Sequence, residues 1–193
     1  MEYVYLFPAV LIALTFHEYA HAYVAYKLGD PTAKLMGRLT LNPLTHIALL
    51  GLIAFIIFKF GWAKPVPINP SNFKNPVRDS ALVAIAGPLM NIIIAFVSYA
   101  LYKYLSVSPA ISEFLRWNVW INLILAVFNL IPLPPLDGWR VASIFFPRLM
   151  FDRRLETYGF IALLLLVFLG GNILGAYLFS VVKIILGIFE LIV

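Results

Sequence analysis

Apolar residues run through this chain in stretches long enough to enter or cross a membrane, and this pattern limits the fold more than any other feature. The chain has 193 residues, of which 63% are hydrophobic and only 12% are charged. A soluble domain carries about 25% charged residues. Inside a bilayer, main-chain N–H and C=O groups must be hydrogen-bonded within the protein, which favours the α-helix. The composition therefore predicts an all-α polytopic membrane protein.

The apolar stretches differ in length, and a spanning helix needs about 20 residues. We expect five or six membrane-embedded helical segments, at residues 3–28, 47–58, 80–101, 117–133, 159–169 and 173–193. They are expected to form a single domain over residues 1–193, with a catalytic core at about 3–146 and C-terminal helices at about 156–193. The N-terminus lacks a basic region, so no cleavable signal peptide is expected.

Two stretches between these segments are not predicted to be helical. Residues 35–43 alternate in polarity and end at a proline, which is typical of a short β-strand. Residues 62–76 contain four prolines and predict an extended loop. We therefore expect a short β-strand or hairpin region next to the membrane.

The first apolar segment contains His17-Glu18-Tyr19-Ala20-His21, which matches the metal-binding pattern H-E-x-x-H. Two histidines four residues apart project from one face of a helix, so both can bind one metal ion. Glu18 is placed to hold and deprotonate a water on that metal. A carboxylate at membrane depth is costly and predicts a function. The alternative is a chance match in which both histidines are hydrogen-bonded inside a helix bundle.

The third metal ligand must come from elsewhere, and it must be His, Asp or Glu because the chain has no cysteine. Three prolines within residues 132–135 break the fourth segment. Asp137 follows directly, whereas the other acidic residues lie in loops or near segment ends. Catalytic zinc sites commonly take a carboxylate ligand, which favours Asp137. The alternative is that Asp137 caps a helix through residues 139–145.

Three sequence blocks together resemble the site-2 protease family of intramembrane zinc metalloproteases: residues 17–21, 86–91 (Ala-Gly-Pro-Leu-Met-Asn) and 129–138 (Asn-Leu-Ile-Pro-Leu-Pro-Pro-Leu-Asp-Gly). Residues 37–43 and 61–67 are similar to the compact prokaryotic members, without PDZ or CBS domains. The resemblance implies an enzyme of regulated intramembrane proteolysis that cuts transmembrane segments of membrane proteins.

The same resemblance implies roles for individual residues. It makes His17, His21 and Asp137 ligands of Zn²⁺ and Glu18 the general base. It also makes Asn129 a catalytic polar group that positions the scissile peptide.

The substrate-binding residues are less constrained by the sequence. The predicted strand at residues 35–41, which includes Leu39 and Thr40, offers an edge on which an unwound substrate can pair. Asn91 either hydrogen-bonds across helices or contacts substrate, and the sequence leaves both roles open.

The expected partners are a transmembrane protein substrate and the lipid bilayer. The net charge of +5 does not indicate nucleic acid, because Lys and Arg mark the cytoplasmic loops of membrane proteins. One alternative is a membrane zinc hydrolase of another substrate class, such as a lipid amide or a prenylated peptide. A second is a non-enzymatic metal-binding membrane protein. Glu18 argues against the second, because a carrier needs ligands rather than a base.

The metal site also predicts a topology. Ligands that share one zinc lie at one depth, so the first and fourth segments should run parallel, with one full crossing between them. The third segment is long enough to cross, so residues 47–58 are expected to enter and return. This places eleven Lys and Arg residues on one side and two, Lys103 and Arg116, on the other. The positive-inside rule then puts residues 29–78 in the cytoplasm of a prokaryotic cell and the active site nearer that side.

Overall fold

The computed structural model describes residues 3–48, 51, 63–149 and 152–193. Within these ranges the chain is mostly helical. The helices are α1 (Tyr3–Lys27), α2 (Thr32–Leu35), α3 (Pro43–His46), α4 (Pro76–Tyr104), α5 (Pro109–Asn129), α6 (Asp137–Ala142), α7 (Arg153–Phe168) and α8 (Gly171–Ile192). Three of the described helices, α4, α5 and α8, are long and apolar enough to cross a membrane.

Local capping signals explain where the long helices begin. The Asn75 side chain accepts a hydrogen bond from the N–H of Arg78, and Pro76 occupies the first turn of α4. Ser108 and Pro109 begin α5 in the same way. Both helices therefore begin before the apolar stretches that predict them. The prediction of five or six embedded segments stays a prediction beyond the three candidate spans.

Helices α1 and α4 pack together in opposite directions. The His17 side chain contacts that of Asn91, whereas the His21 side chain, one turn further along α1, contacts the carbonyl of Val83. The later residue of α1 therefore contacts the earlier residue of α4, so the two helices are antiparallel.

Helices α4 and α5 are also antiparallel. Asn91 contacts Asn122, whereas Ser98 contacts Asn118. It follows that α1 and α5 run parallel, which brings the turn that follows α5 to the same end of the bundle as the C-terminal part of α1.

The β-strand predicted at residues 35–43 is wrong, because a helical turn and its cap occupy the first part. Asp30 accepts a hydrogen bond from the N–H of Thr32 (3.0 Å) at the start of α2. Gly37 has a φ of 67°, and the N–H of Arg38 donates to the carbonyl of Ala33 (2.8 Å), which ends the turn. Among the described residues, β pairing is confined to one isolated bridge, so the predicted hairpin is not confirmed.

That isolated bridge joins Ile47 and Ala63 in antiparallel fashion. The N–H of Lys64 also donates to the carbonyl of His46 (2.8 Å). The predicted segment at residues 47–58 lies almost entirely outside the described ranges. Its described flanks, however, lie side by side.

The chain turns back sharply between α5 and α6, and a glycine makes this turn possible. A Cβ on Gly138 would collide with the carbonyl groups of Leu130 and Ile131. In α7, a Cβ on Gly159 would lie 2.6 Å from both Cβ and O of Pro134. Helix α7 therefore packs closely against the turn that precedes Asp137.

Helix α8 packs on α4 and α5 through an apolar cluster that includes Ala95, Leu123, Val127, Val182 and Phe189. This cluster lies on a different part of α5 from its polar side chains. The division into a catalytic core and C-terminal helices stays a prediction.

Candidate metal centre

Three side chains from two parts of the chain converge on one point. The Nε2 atoms of His17 and His21 lie 3.1 and 3.3 Å from Oδ2 of Asp137, and 3.0 Å from each other. Both histidines are buried in α1. In the described ranges, this is the one group of three His, Asp or Glu residues that could hold a metal ion. Asp137 reaches it because the turn after α5 folds back.

Hydrogen bonds behind the two histidines determine which ring nitrogen faces the point of convergence. Nδ1 of His21 lies 2.7 Å from the carbonyl oxygen of Val83, which can only accept, so this nitrogen carries the proton. Nδ1 of His17 lies 2.6 Å from Oδ1 of Asn91 and donates to it. In the neutral form of each ring, which is the form that binds metal, the lone pair is therefore on Nε2.

This arrangement fits a divalent cation. Oδ2 of Asp137 is buried and has no hydrogen-bond donor among the described residues. Two nitrogen lone pairs and a carboxylate oxygen face one another at about hydrogen-bond distance, which is unfavourable unless a positive ion lies between them. Two imidazoles and one carboxylate are a ligand set that suits zinc and leaves a coordination position open.

The alternative role of Asp137 as a helix cap is not supported. Leu136 occupies the capping position of α6, and Asp137 is the first residue inside that helix. No side-chain hydrogen bond caps the helix. The Asp137 carboxylate is thus turned toward the histidines rather than toward its own helix.

Glu18 is held by the main chain of a loop. Its Oε2 accepts a hydrogen bond from the N–H of Val66 (2.9 Å), and both residues are buried. Val66 lies between Pro65 and Pro67, which have no N–H. It is therefore the sole main-chain donor among these three residues.

Arg38 holds the beginning of that loop. Its Nη2 donates to the carbonyl of Lys64 (2.5 Å) and its Nη1 to that of Pro65 (3.3 Å), and the side chain is buried. Burial lowers the pKa of the Arg38 guanidinium, while the negative charge of Glu18 opposes this effect. The guanidinium remains protonated at any physiological pH.

Asp30 holds the end of the loop. Its carboxylate accepts from the N–H of Asn69 (2.7 Å) and from Nδ2 of Asn72 (2.7 Å), in addition to the N–H and hydroxyl of Thr32. Burial raises the pKa of Asp30, but the hydrogen bonds outweigh it and hold the pKa below its usual range. The loop at residues 64–72 is therefore fixed at both ends.

Gly87 of α4 lies directly against the two histidines. A Cβ at this position would collide with Nε2 of His21 and would lie 2.6 and 2.7 Å from Cε1 of His21 and His17. Glycine is therefore the residue that lets α4 pack this closely against the two histidines.

The other predicted site residues are not among the three side chains that converge. Asn91 has no exposed surface and hydrogen-bonds on all sides, which does not favour substrate contact. The Asn129 amide donates to the carbonyl of Leu125 in its own helix (2.9 Å). Leu39 and Thr40 are half-buried, and the carbonyl of Thr40 accepts from Nε2 of His46 (2.8 Å). The substrate and catalytic roles of these residues stay predictions.

Several residues that support the site are missing from the sequence-based prediction. Gly87, Val66 and the carbonyl of Val83 act through close approach or through the main chain, which leaves no distinctive side chain to notice. Asn118 and Asn122 were detectable, since polar residues four apart in an apolar helix indicate a buried hydrogen-bonded role.

A helical membrane protein whose histidines and aspartate converge in this way has the features of a membrane-embedded metalloenzyme. Residues 5–110 and 105–170 match the model of Peptidase family M50. The chain belongs to this family, and the predicted resemblance to site-2 proteases is confirmed.

Individual relatives point the same way. The chain is 42% identical to YwhC of Bacillus subtilis (strain 168), named as a candidate zinc metalloprotease, over 84% of this chain and 79% of that protein. Rip2 of Mycobacterium tuberculosis (strain H37Rv), named likewise, is 30% identical over 67% of this chain and 52% of its own length. Zinc metalloprotease MJ0392 of Methanocaldococcus jannaschii is 27% identical over 70% of this chain and 32% of its own length. No solved structure matches the chain with comparable significance. The family and these names agree with Zn²⁺ as the metal.

Proposed function

We propose that this protein is an intramembrane zinc metalloprotease that hydrolyses peptide bonds in or near transmembrane segments of membrane proteins. One observation carries the proposal: Nε2 of His17 and of His21 lie within 3.3 Å of Oδ2 of Asp137, and Glu18 lies next to His17 in the sequence. Their helices pack against α4 and α5, which are long and apolar enough to span a membrane. Membership in a peptidase family supports the reaction class.

In the proposed hydrolysis, some residues bind the metal and Glu18 transfers protons. Zinc, when bound, supplies Lewis-acid chemistry that acidifies water and polarises a peptide carbonyl. His17, His21 and Asp137 would hold the ion at the point where their side chains converge. Glu18 accepts the proton of the attacking water and returns it to the leaving amine. The N–H of Val66 holds one oxygen of Glu18 in place during these transfers.

Two substitutions test these roles in purified protein with a membrane-embedded substrate. Glu18→Gln keeps the shape of the side chain but removes the base, so we expect zinc binding near the parent level and cleavage at least about 100-fold slower. Asp137→Ala removes a ligand, so we expect both zinc and activity to be lost. The control is Glu113→Gln, whose parent side chain pairs with Arg116 at an exposed site.

Each role has an outcome that contradicts it. Substantial cleavage by Glu18→Gln would remove Glu18 from the role of base, and full zinc binding by Asp137→Ala would remove Asp137 from the ligand set. Equal cleavage of a soluble peptide and of a membrane-embedded substrate would contradict the intramembrane assignment and favour a different substrate class.

We also propose that the zinc lies nearer the cytoplasmic side of a prokaryotic cell membrane, with residues 29–78 in the cytoplasm. The neighbouring positions of Ile47 and Ala63 and the parallel directions of α1 and α5 support this topology. Single cysteines at Asn42, Asn69 and Ser108 test it, since the chain has no other thiol. From outside intact cells, Ser108→Cys should be labelled and the other two shielded. Labelling of Asn42→Cys and Asn69→Cys from opposite sides contradicts the topology.

A further inference from the structure

A row of buried polar side chains runs away from the metal centre through the helix bundle. Nδ2 of Asn91 donates to Oδ1 of Asn122 (2.8 Å), and Nδ2 of Asn122 donates to Oδ1 of Asn118 (3.0 Å). Nδ2 of Asn118 donates in turn to the hydroxyl oxygen of Ser98 (2.7 Å). All four are at most 5% exposed, and Asn91 and Asn122 are not exposed at all. Four polar side chains buried among apolar helices are costly unless they are fully hydrogen-bonded.

Two main-chain carbonyls determine the direction in which this row points. The Asn91 amide nitrogen also donates to the carbonyl of Ala13 in α1 (3.0 Å), and that of Asn122 donates to the carbonyl of Asn118 (2.8 Å). A carbonyl oxygen can only accept, so each of these two amides must present its NH₂ group to a carbonyl. The oxygen of Asn91 is thereby turned toward His17.

We propose that Asn122 and Asn118 are positioning residues that act through Asn91 to keep the proton of His17 on Nδ1, and so leave its Nε2 free to bind metal. The inference rests on the proposed metal site. If the Asn91 amide were reversed, its NH₂ group would face Nδ1 of His17, which would then have to be the unprotonated nitrogen. The proton would move to Nε2, where it blocks a metal ligand.

The row opposes this reversal at two points. A reversed Asn91 would place its oxygen against the carbonyl oxygen of Ala13 and against Oδ1 of Asn122. The Ala13 carbonyl belongs to the α1 backbone, whereas Oδ1 of Asn122 keeps its orientation only because Nδ2 of Asn122 is held by Asn118. Removing the Asn122 side chain therefore removes one of the two groups that hold the Asn91 amide in its orientation. Removing the Asn118 side chain acts less directly, because it only loosens the orientation of Asn122.

The experiment measures zinc affinity and the protonated nitrogen of His17 separately. The full chain is purified in detergent, stripped of metal with a chelator, and titrated with zinc against a competing dye. The tautomer of His17 is measured in the metal-free protein by ¹⁵N NMR of labelled histidine, with His17→Gln used to assign the signal. The variants are Asn91→Leu, Asn122→Leu and Asn118→Ala.

We expect a graded loss of zinc affinity. Loss of a residue that hydrogen-bonds a metal ligand lowers metal affinity about 10- to 100-fold, and this is the range for Asn91→Leu. We expect about tenfold for Asn122→Leu and about twofold to threefold for Asn118→Ala, because each lies one hydrogen bond further away. The Nδ1–H form of His17 should be depleted in the same order.

Leu123→Ala is the matched control for general loosening of α5. Leu123 is fully buried beside Asn122 in sequence, but it packs in the apolar cluster with α8 and with Ala95 of α4 rather than in the polar row. We expect Leu123→Ala to lower thermal stability and to leave zinc affinity and the His17 tautomer unchanged.

The outcomes separate this inference from the proposed function. Failure of the parent protein to bind zinc would overturn the metal site itself. Zinc binding by the parent with unchanged affinity and tautomer in Asn122→Leu would overturn only the positioning role. An equal loss of affinity in Leu123→Ala would also overturn it, by assigning the effect to general loosening. Where Asn122→Leu does not fold, Asn118→Ala decides through the NMR signal of His17.

Discussion

His17 and Glu18 are neighbours in the sequence, yet two different regions of the molecule hold them. His17 is held from inside the bundle by the side-chain amide of Asn91 in α4. Glu18 is held from the loop at residues 64–72 by the main-chain N–H of Val66. The first partner is a side chain buried between long helices. The second belongs to a connecting segment that is fixed by Arg38 and Asp30.

The difference separates two steps of the proposed reaction. Metal binding depends on groups within packed helices, which have no room to move independently. Proton transfer depends on a loop whose position is set by a few hydrogen bonds. Changes in the bundle should therefore alter metal affinity, whereas changes in the loop should alter turnover while the metal stays bound.

The largest effect on the bundle side is expected from Gly87→Ala. The added methyl group would lie within 2.7 Å of ring carbons of both histidines, so they must shift. We expect zinc affinity to fall by about 100-fold, the upper end of the range for changes around metal ligands. We also expect a loss of about 1–3 kcal/mol of stability from overpacking.

Gly187→Ala in α8 is the control for Gly87→Ala, since nothing lies within 4 Å of its added Cβ. Replacing this helical glycine should raise stability by up to about 1 kcal/mol and leave zinc affinity unchanged. Parent-like zinc binding by Gly87→Ala would show that the histidines can move within the bundle, and would weaken the contrast with the loop.

A smaller effect, confined to the loop side, is expected from Arg38→Gln. This change removes the donors to the carbonyls of Lys64 and Pro65, so the N–H of Val66 is no longer held against Glu18. We expect cleavage to slow about tenfold, corresponding to about 1.4 kcal/mol, with zinc affinity within about twofold of the parent. Arg78→Gln, at an exposed position, is the control. A matching fall in zinc affinity would show that the two regions are not separate.

The smallest effect is expected from Asp30→Asn, and it depends on pH. The pKa of Asp30 is lower in the folded protein than in the unfolded chain, so its ionisation stabilises the fold above about pH 4. That contribution is lost as pH falls through the lowered folded pKa. We expect Asp30→Asn to lose about 1 kcal/mol at neutral pH, because its hydrogen bonds are no longer charge-assisted, and to approach the parent in acid.

Thermal unfolding in detergent across a pH series measures this difference, with the exposed Glu156→Gln as the control. A deficit of Asp30→Asn that stays constant into acid would mean that shape rather than charge holds the end of the loop.

The parts of the structure that follow from local sequence were predictable. Apolar length and proline position indicate α1, α4, α5, α7 and α8, because a buried backbone must satisfy its own hydrogen bonds. The spacing of His17 and His21 places both on one helix face whatever the tertiary fold. A chain without cysteine offers few candidates for a third ligand, which favours Asp137, and its role as a ligand stays a prediction.

The parts that depend on tertiary contact were not predictable. Alternating polarity at residues 35–43 indicates a strand. Instead, a helical turn begins where Asp30 accepts a hydrogen bond from the N–H of Thr32, and it ends at the left-handed Gly37. The sequence alone leaves open whether Asn91 hydrogen-bonds across helices or contacts substrate, because its partner His17 lies 74 positions away in the sequence. The sequence shows that an amide is present but not what it faces.

The hydrogen bond from Val66 to Glu18 has a consequence for how this protein can vary. Because the donor is the peptide group, every amino acid except proline at position 66 supplies the same N–H. The contact therefore persists through mutational drift of the side chain and leaves no mark in a comparison of sequences. A redesign of this protein could change the apolar side chain at position 66, provided that its packing against Ala22 and Ala33, the path of the backbone and this one peptide N–H are kept.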